Sequence, residues 1–119
     1  MTEINLKKYL SSETQKYFNG RPEGKDARNS LKLDEKDKKK ERITFSIDAD
    51  LVGMNVSFFL GLFGPTILQC GINDFKERYN FKYATKEVET LFKKDFEYGI
   101  KAALREITPQ NLMERLQGK

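Results

Sequence analysis

Few residues in this chain are of the types that do chemistry, and their placement narrows what that chemistry is. Ser57 opens the most apolar stretch of the sequence, SFFLGLFGPTILQC, and a polar connection carrying Asp50, Gly53 and Asn55 leads into it. The lone cysteine, Cys70, closes that stretch. There is no histidine, which removes the usual general base, most zinc sites and every Ser-His or Cys-His pair. Carboxylates and lysines remain, but no two of them share an apolar setting that would tune a proton-transfer group. The expectation is a chain that is not an enzyme and holds neither metal nor cofactor. Cys70, set among Leu68, Gln69 and Ile72, reads as a buried structural thiol and not as a redox site. A single cysteine makes no internal disulfide, which suits a reducing cytosol.

The elements that must position these residues follow from periodicity. Ile43, Phe45 and Ile47 alternate with Thr44, Ser46 and Asp48, which predicts a strand running into the Asp50–Val56 connection. The stretch from Ser57 to Cys70 is too short to cross a bilayer and too apolar for a surface helix. It predicts one helix lying flat on the sheet, with Ser57 as its N-cap and with Gly61 and Gly64 allowing close approach. Ile4 and Leu6 suggest a short first strand, and the segment Ser11–Phe18 stays open between a helical turn and a strand. Pro22 can occupy the first turn of a helix to about Leu33, with Ala27, Leu31 and Leu33 inward. Tyr79, Phe81 and Tyr83 predict a strand whose aromatic face is core. From Lys86 to Ile107, apolar residues at three- and four-residue spacing predict a long helix capped by Thr85 and ended by Pro109, with Leu91 and Leu104 on the inward stripe.

Two spaced motifs carry a family resemblance. Ser57, Phe58, Leu60, Phe63 and Gly64 give Ser-Phe-Leu…Phe-Gly, and Gly20, Arg21, Gly24, Arg28 and Leu31 give Gly-Arg…Gly…Arg…Leu. Over about residues 20–83 the chain resembles a bacterial STAS-like family of unknown function, itself similar to the STAS domains of anti-sigma-factor antagonists; Pro65 departs from the pattern. The resemblance implies a regulatory protein–protein interaction module, with a histidine-kinase-like ATPase as the kind of partner. It places the partner surface at the start of the helix after the central strand, which is Asp50, Gly53, Asn55 and Ser57 here, and makes Ser57 the candidate for phosphorylation. Capping alone also accounts for Ser57.

Strand–helix alternation predicts an α/β fold: a small mixed, largely parallel sheet with helices mainly on one face, in one domain over 1–107 followed by a tail over 108–119. An α+β arrangement is the alternative. The formal charge of +4 is concentrated in residues 1–42, which hold 12 Lys/Arg against 8 Asp/Glu. That excess allows a second function, nucleic-acid binding. The interleaved acids argue against it and favour reading the run Asp34–Arg42 as a solvated loop. Met1–Leu10 has no apolar run, so neither a signal peptide nor a membrane association is expected. An edge strand in so small a sheet could pair with its copy and make a homodimer.

Overall fold

The computed structural model describes residues 2–10 and 16–106. Strand β1 (Thr2–Asn5) passes through a 3-10 turn at Leu6–Tyr9, and β2 (Tyr17–Phe18) precedes helices α1 (Arg21–Leu31) and α2 (Leu33–Lys38). Strands β3 (Ile43–Ile47) and β4 (Gly53–Met54) follow, then α3 (Val56–Leu62), α4 (Gly64–Cys70), α5 (Ile72–Arg78), β5 (Tyr79–Tyr83) and α6 (Lys86–Arg105). The open question over Ser11–Phe18 lies partly outside the described residues, as do Ile107, Pro109 and the tail over 108–119.

The fold is α/β. Strands β1, β3 and β5 form one sheet in the order β1-β3-β5, parallel throughout, with Ile4, Phe45 and Phe81 side by side. Parallel neighbours need crossovers, and the helical segments 21–38 and 56–78 supply them. Ile43, Phe45 and Ile47 are buried while Thr44 and Ser46 are half-buried, so the alternation seen in the sequence marks a sheet covered on one face. A second parallel pair, β2 with β4, sets Tyr17 beside Gly53 and Phe18 beside Met54. Two-residue strands carry no periodicity, and this ribbon leaves no sequence signal.

The apolar stretch folds differently from expectation. It is two helices, not one, broken at Phe63. Pro65 has no N–H to give the carbonyl four residues back and occupies the first turn of α4, where that loss costs least. The break drives the Phe63 ring into the core, 5.3 Å from Phe45, 5.2 Å from Phe59 and 5.4 Å from Phe75 between centroids. Helix α1 crosses α3 at two glycines. A β-carbon on Gly24 would overlap the Phe58 carbonyl oxygen, and one on Gly61 would overlap that of Arg21. Gly64, by contrast, has only ordinary contacts with Leu60.

The charged run Asp34–Arg42 is a loop only over residues 39–42; its first five residues belong to α2. Lys32 turns left-handed at φ 55° and separates α1 from α2. The short second helix then buries Leu33 and, one turn on, Asp37. Asp34 and Glu35 lie in its first turn and Lys36 and Lys38 in its last, the favourable order against the helix dipole. Helix α6 follows the sequence closely: the Thr85 hydroxyl accepts from the Val88 N–H at 3.2 Å, and Glu89 pairs with Lys93 at 2.8 Å. Its buried stripe is narrower than expected, running through Val88, Phe92, Phe96, Gly99 and Ala103, while Leu91 and Leu104 face outward.

The glycine crossing gives a direct test. Alanine is the better helix former by about 1 kcal/mol, yet Gly61→Ala should lower stability by about 1–3 kcal/mol because the added methyl has no room. Urea unfolding would measure it, and a stabilised variant would show that the helices are not held in contact there.

Candidate functional site

The connection between β3 and α3 divides its polar residues among three tasks. Asp50 accepts from Lys7 at 2.7 Å. That hydrogen bond holds the Asp50 carboxyl below its ordinary range and raises the Lys7 ammonium. Beside it the Asn5 amide lies 3.5 Å from Asp48, so the carboxyl ends of β1 and β3 are tied by their own side chains. Gly53 is buried in β4, where a β-carbon would strike the Asp95 carboxylate and the Tyr17 ring. It therefore offers no partner surface, contrary to expectation. The rest of the connection is likewise mixed, with Val52 exposed but Leu51 and Met54 buried.

Asn55, not Ser57, caps α3. Its side-chain oxygen accepts from the Phe58 N–H at 2.9 Å, and its amide donates to the Asn19 side-chain oxygen. Val56 is already helical, which puts Ser57 inside the first turn, out of reach of the capping position. Asparagine is at least as good a cap as serine, so the sequence held both candidates and the boundary decided between them. Ser57 is exposed and its hydroxyl makes no hydrogen bond among the described residues. Phe58, Leu60 and Phe63 are buried as expected.

Around this connection lies an apolar rim. Tyr17, Val52, Leu91 and Tyr98 are 40%, 52%, 45% and 52% exposed, four of the five large apolar side chains exposed among the described residues. They share a surroundings because Asp95 accepts from the Met54 N–H at 2.9 Å, next to Gly53 and Tyr17. Leu91, Asp95 and Tyr98 fall at i, i+4 and i+7 on α6, one face of the helix, and the Val52 N–H donates to the Lys16 carbonyl. Partial burial and the nearby Asp95 charge push the Tyr17 hydroxyl pKa up. The sequence signal for this rim was the Leu91–Asp95–Tyr98 spacing, hidden because Leu91 also suits the core stripe.

A second polar cluster is wholly internal and was missed in the charge run. Asp37, 5% exposed, accepts from the Tyr79 hydroxyl at 2.6 Å and Arg78 at 3.1 Å on one oxygen. Its other oxygen accepts from the Thr66 hydroxyl at 2.6 Å and Arg28 at 3.0 Å. Both hydroxyls give their single proton to Asp37. Arg28 further donates to the Leu62 carbonyl, Thr66 and Asp34, and Arg78 to Asp74 and the Glu41 carbonyl. Burial opposes the Arg78 charge, but Asp74 and Asp37 outweigh it and raise its pKa; burial and then Asp37 push the Tyr79 hydroxyl up as well. With four donors on two oxygens, Asp37 has no lone pair free for a substrate proton. A hollow of about 410 Å³ adjoins it, lined by Asp34, Asp37, Lys38, Lys40, Gln69 and Cys70. Cys70 is half-buried, less covered than its neighbours suggested, because α4 ends there at the rim of the hollow. Burial and the Asp37 charge raise its thiol pKa, which lowers its thiolate fraction. Among the described residues no group of three or more Cys, Asp or Glu side chains is placed to hold a metal ion, and no helix is long and apolar enough to cross a membrane.

Comparisons with protein-family models, with curated proteins and with solved structures find no match to this chain. The STAS-like resemblance rests on its two sequence motifs. In space those motifs are one feature, since Gly24 and Arg28 of α1 meet Phe58, Gly61 and Leu62 of α3 at the glycine crossing.

The two candidate caps can be separated by chemical denaturation. Asn55→Ala should cost about 1 kcal/mol, the usual loss of an N-cap. Ser57→Ala should stay within about 0.5 kcal/mol, as exposed substitutions do. Equal losses at the two positions would refute the assignment.

Proposed function

We propose that this chain is a non-catalytic regulatory module that binds another protein through the rim of Tyr17, Val52, Leu91 and Tyr98 and the exposed first turn of α3 at Ser57. The observation that carries the reading is the grouping of exposed apolar side chains around one acid. Scattered exposed hydrophobics need no explanation, but grouped ones bordered by polar residues mark interaction surfaces, and tyrosine is enriched at interface cores. Asp95 already accepts the Met54 N–H, so covering the rim does not strand a bare carboxylate. A non-catalytic role accords with a saturated Asp37 and a thiol whose pKa is raised.

The STAS-like resemblance supports the same location and suggests the partner, a histidine-kinase-like ATPase in a bacterial cytoplasm. It also makes Ser57 a phosphorylation site. Support for that comes from the unengaged, exposed hydroxyl and from the favourable field that the first turn of a helix offers a phosphate. Nucleic-acid binding is the weaker reading. Much of the basic excess is matched internally: Arg28 is buried, Lys7 pairs with Asp50, Arg21 with Glu106, Lys40 with Asp74 and Arg42 with Glu77.

Affinity capture from the native host, with and without nuclease, tests the proposal when wild type is run beside a Val52→Lys/Leu91→Lys variant. A protein recovered by wild type despite nuclease and lost with the variant, at unchanged melting temperature, is the expected result. Nuclease-sensitive recovery would favour the nucleic-acid reading. Undiminished capture by the variant would remove the rim from the interface.

A further inference from the structure

We propose that the outer edge of β5 is a self-pairing surface, on which a second copy of this chain adds its own β5 antiparallel about a two-fold axis at Phe81. Strand β5 ends the parallel sheet on one side, and its ladder to β3 fixes which main-chain groups are left over. The Ala84 N–H donates to the Ile47 carbonyl at 3.0 Å. Alternate residues of a strand turn their N–H and C=O to the same neighbour, so Lys82 and Asn80 also address β3. Tyr79, Phe81 and Tyr83 therefore aim theirs outward. The Tyr79 N–H returns to the Phe75 carbonyl. Among the described residues, the N–H and C=O of Phe81 and Tyr83 meet no partner on that side. An edge in this state is a template for another strand.

The sequence of β5 selects its own copy as that strand. Tyr79-Asn80-Phe81-Lys82-Tyr83 reads nearly the same in both directions. Centred on Phe81, an antiparallel copy sets Phe81 against Phe81, Tyr79 against Tyr83 and Asn80 against Lys82. The two Phe81 residues then exchange both their hydrogen bonds, and each Tyr83 N–H meets an outward Tyr79 carbonyl. No lysine faces a lysine, although each copy carries one on this strand; like charges directly opposite would repel. Strand β1, at the other edge, has no such symmetry in Thr2-Glu3-Ile4-Asn5. On the helix-covered face the paired rings border a groove of about 270 Å³, floored by Phe75, Phe81, Phe96 and Ile100. Phe81 and Ile100 are only half-buried, so the added strand covers apolar surface as well as completing the ladder. Lys93 and Glu97 stand on the groove's edge, giving it both signs of charge, as suits a surface that meets itself. The joined sheet would run β1-β3-β5 in one copy and β5-β3-β1 in the other. None of these residues belongs to the rim at Tyr17, Val52, Leu91 and Tyr98, and the proposal does not depend on that rim.

Sedimentation of the full-length chain, with nuclear Overhauser measurements on mixed labelled copies, tests this directly. Wild type is expected to dimerise. An intermolecular contact is expected between the Asn80 and Lys82 α-protons, the close, non-hydrogen-bonded pair of this register. Asn80 and Lys82 are both exposed, so substitutions there leave the monomer's core intact. Asn80→Lys sets lysine against lysine on both sides of the axis and should raise the dimer dissociation constant about tenfold. Adding Lys82→Glu should restore the dimer by making those contacts opposite-charge pairs. A wild type that is monomeric at the concentration of the Overhauser measurement would overturn the proposal. So would a dimer without the α-proton contact, one indifferent to Asn80→Lys, or one that the double variant does not recover.

Discussion

A single buried carboxylate ties this structure together. Asp37 receives hydrogen bonds from α1 through Arg28, α4 through Thr66, α5 through Arg78 and β5 through Tyr79. Burying charge is costly, and a buried ion pair often gains little net stability over an apolar replacement. What the cluster supplies is position. Helix α2 is six residues long with one buried apolar side chain, Leu33, so burial alone would hold it weakly. With Asp37 matched by two guanidiniums, and those matched in turn by Asp34 and Asp74, every described buried side-chain polar atom has a partner.

From that anchor the surface features follow. Arg28 reaches past Asp37 to the Leu62 carbonyl at 2.8 Å, beside the break in the apolar helices. The glycine contact between α1 and α3 and the Phe63 ring among Phe45, Phe59 and Phe75 fix α3 against the sheet. Because α3 is held on its buried side, its first turn projects Ser57 outward, while Asn55 closes the turn toward Asn19. The β2–β4 ribbon is then pinned to α6 by Asp95, which leaves Tyr17, Val52, Leu91 and Tyr98 around one acid. The proposed docking rim is thus a consequence of how the core is packed.

Legibility in the sequence tracked the length of the periodic signal. Five alternating residues sufficed for β3 and for β5, and twenty residues with a single stripe sufficed for α6. The α/β class followed from their order. The ribbon of β2 and β4 was not legible, because two residues have no period. Helix α2 was hidden for another reason: LDEKDK reads as solvated, and only the buried partners Arg28, Arg78, Thr66 and Tyr79, each from another element, let Asp37 turn inward. At the candidate site the exposure of Ser57 ahead of a buried Phe58 was readable. The division of labour there was not, since whether Asn55 or Ser57 caps depends on where the first helical residue falls.

Urea unfolding of Asp37→Ala beside Asp34→Ala tests the anchoring role most directly. The Asp34 side chain is 63% exposed although it contacts the same Arg28. Removing Asp37 leaves two buried guanidiniums without their shared counter-charge, which should cost about 3–5 kcal/mol. Removing Asp34 should cost no more than about 1 kcal/mol, as for a pair with one exposed member. A loss at Asp37 no larger than that at Asp34 would contradict the account.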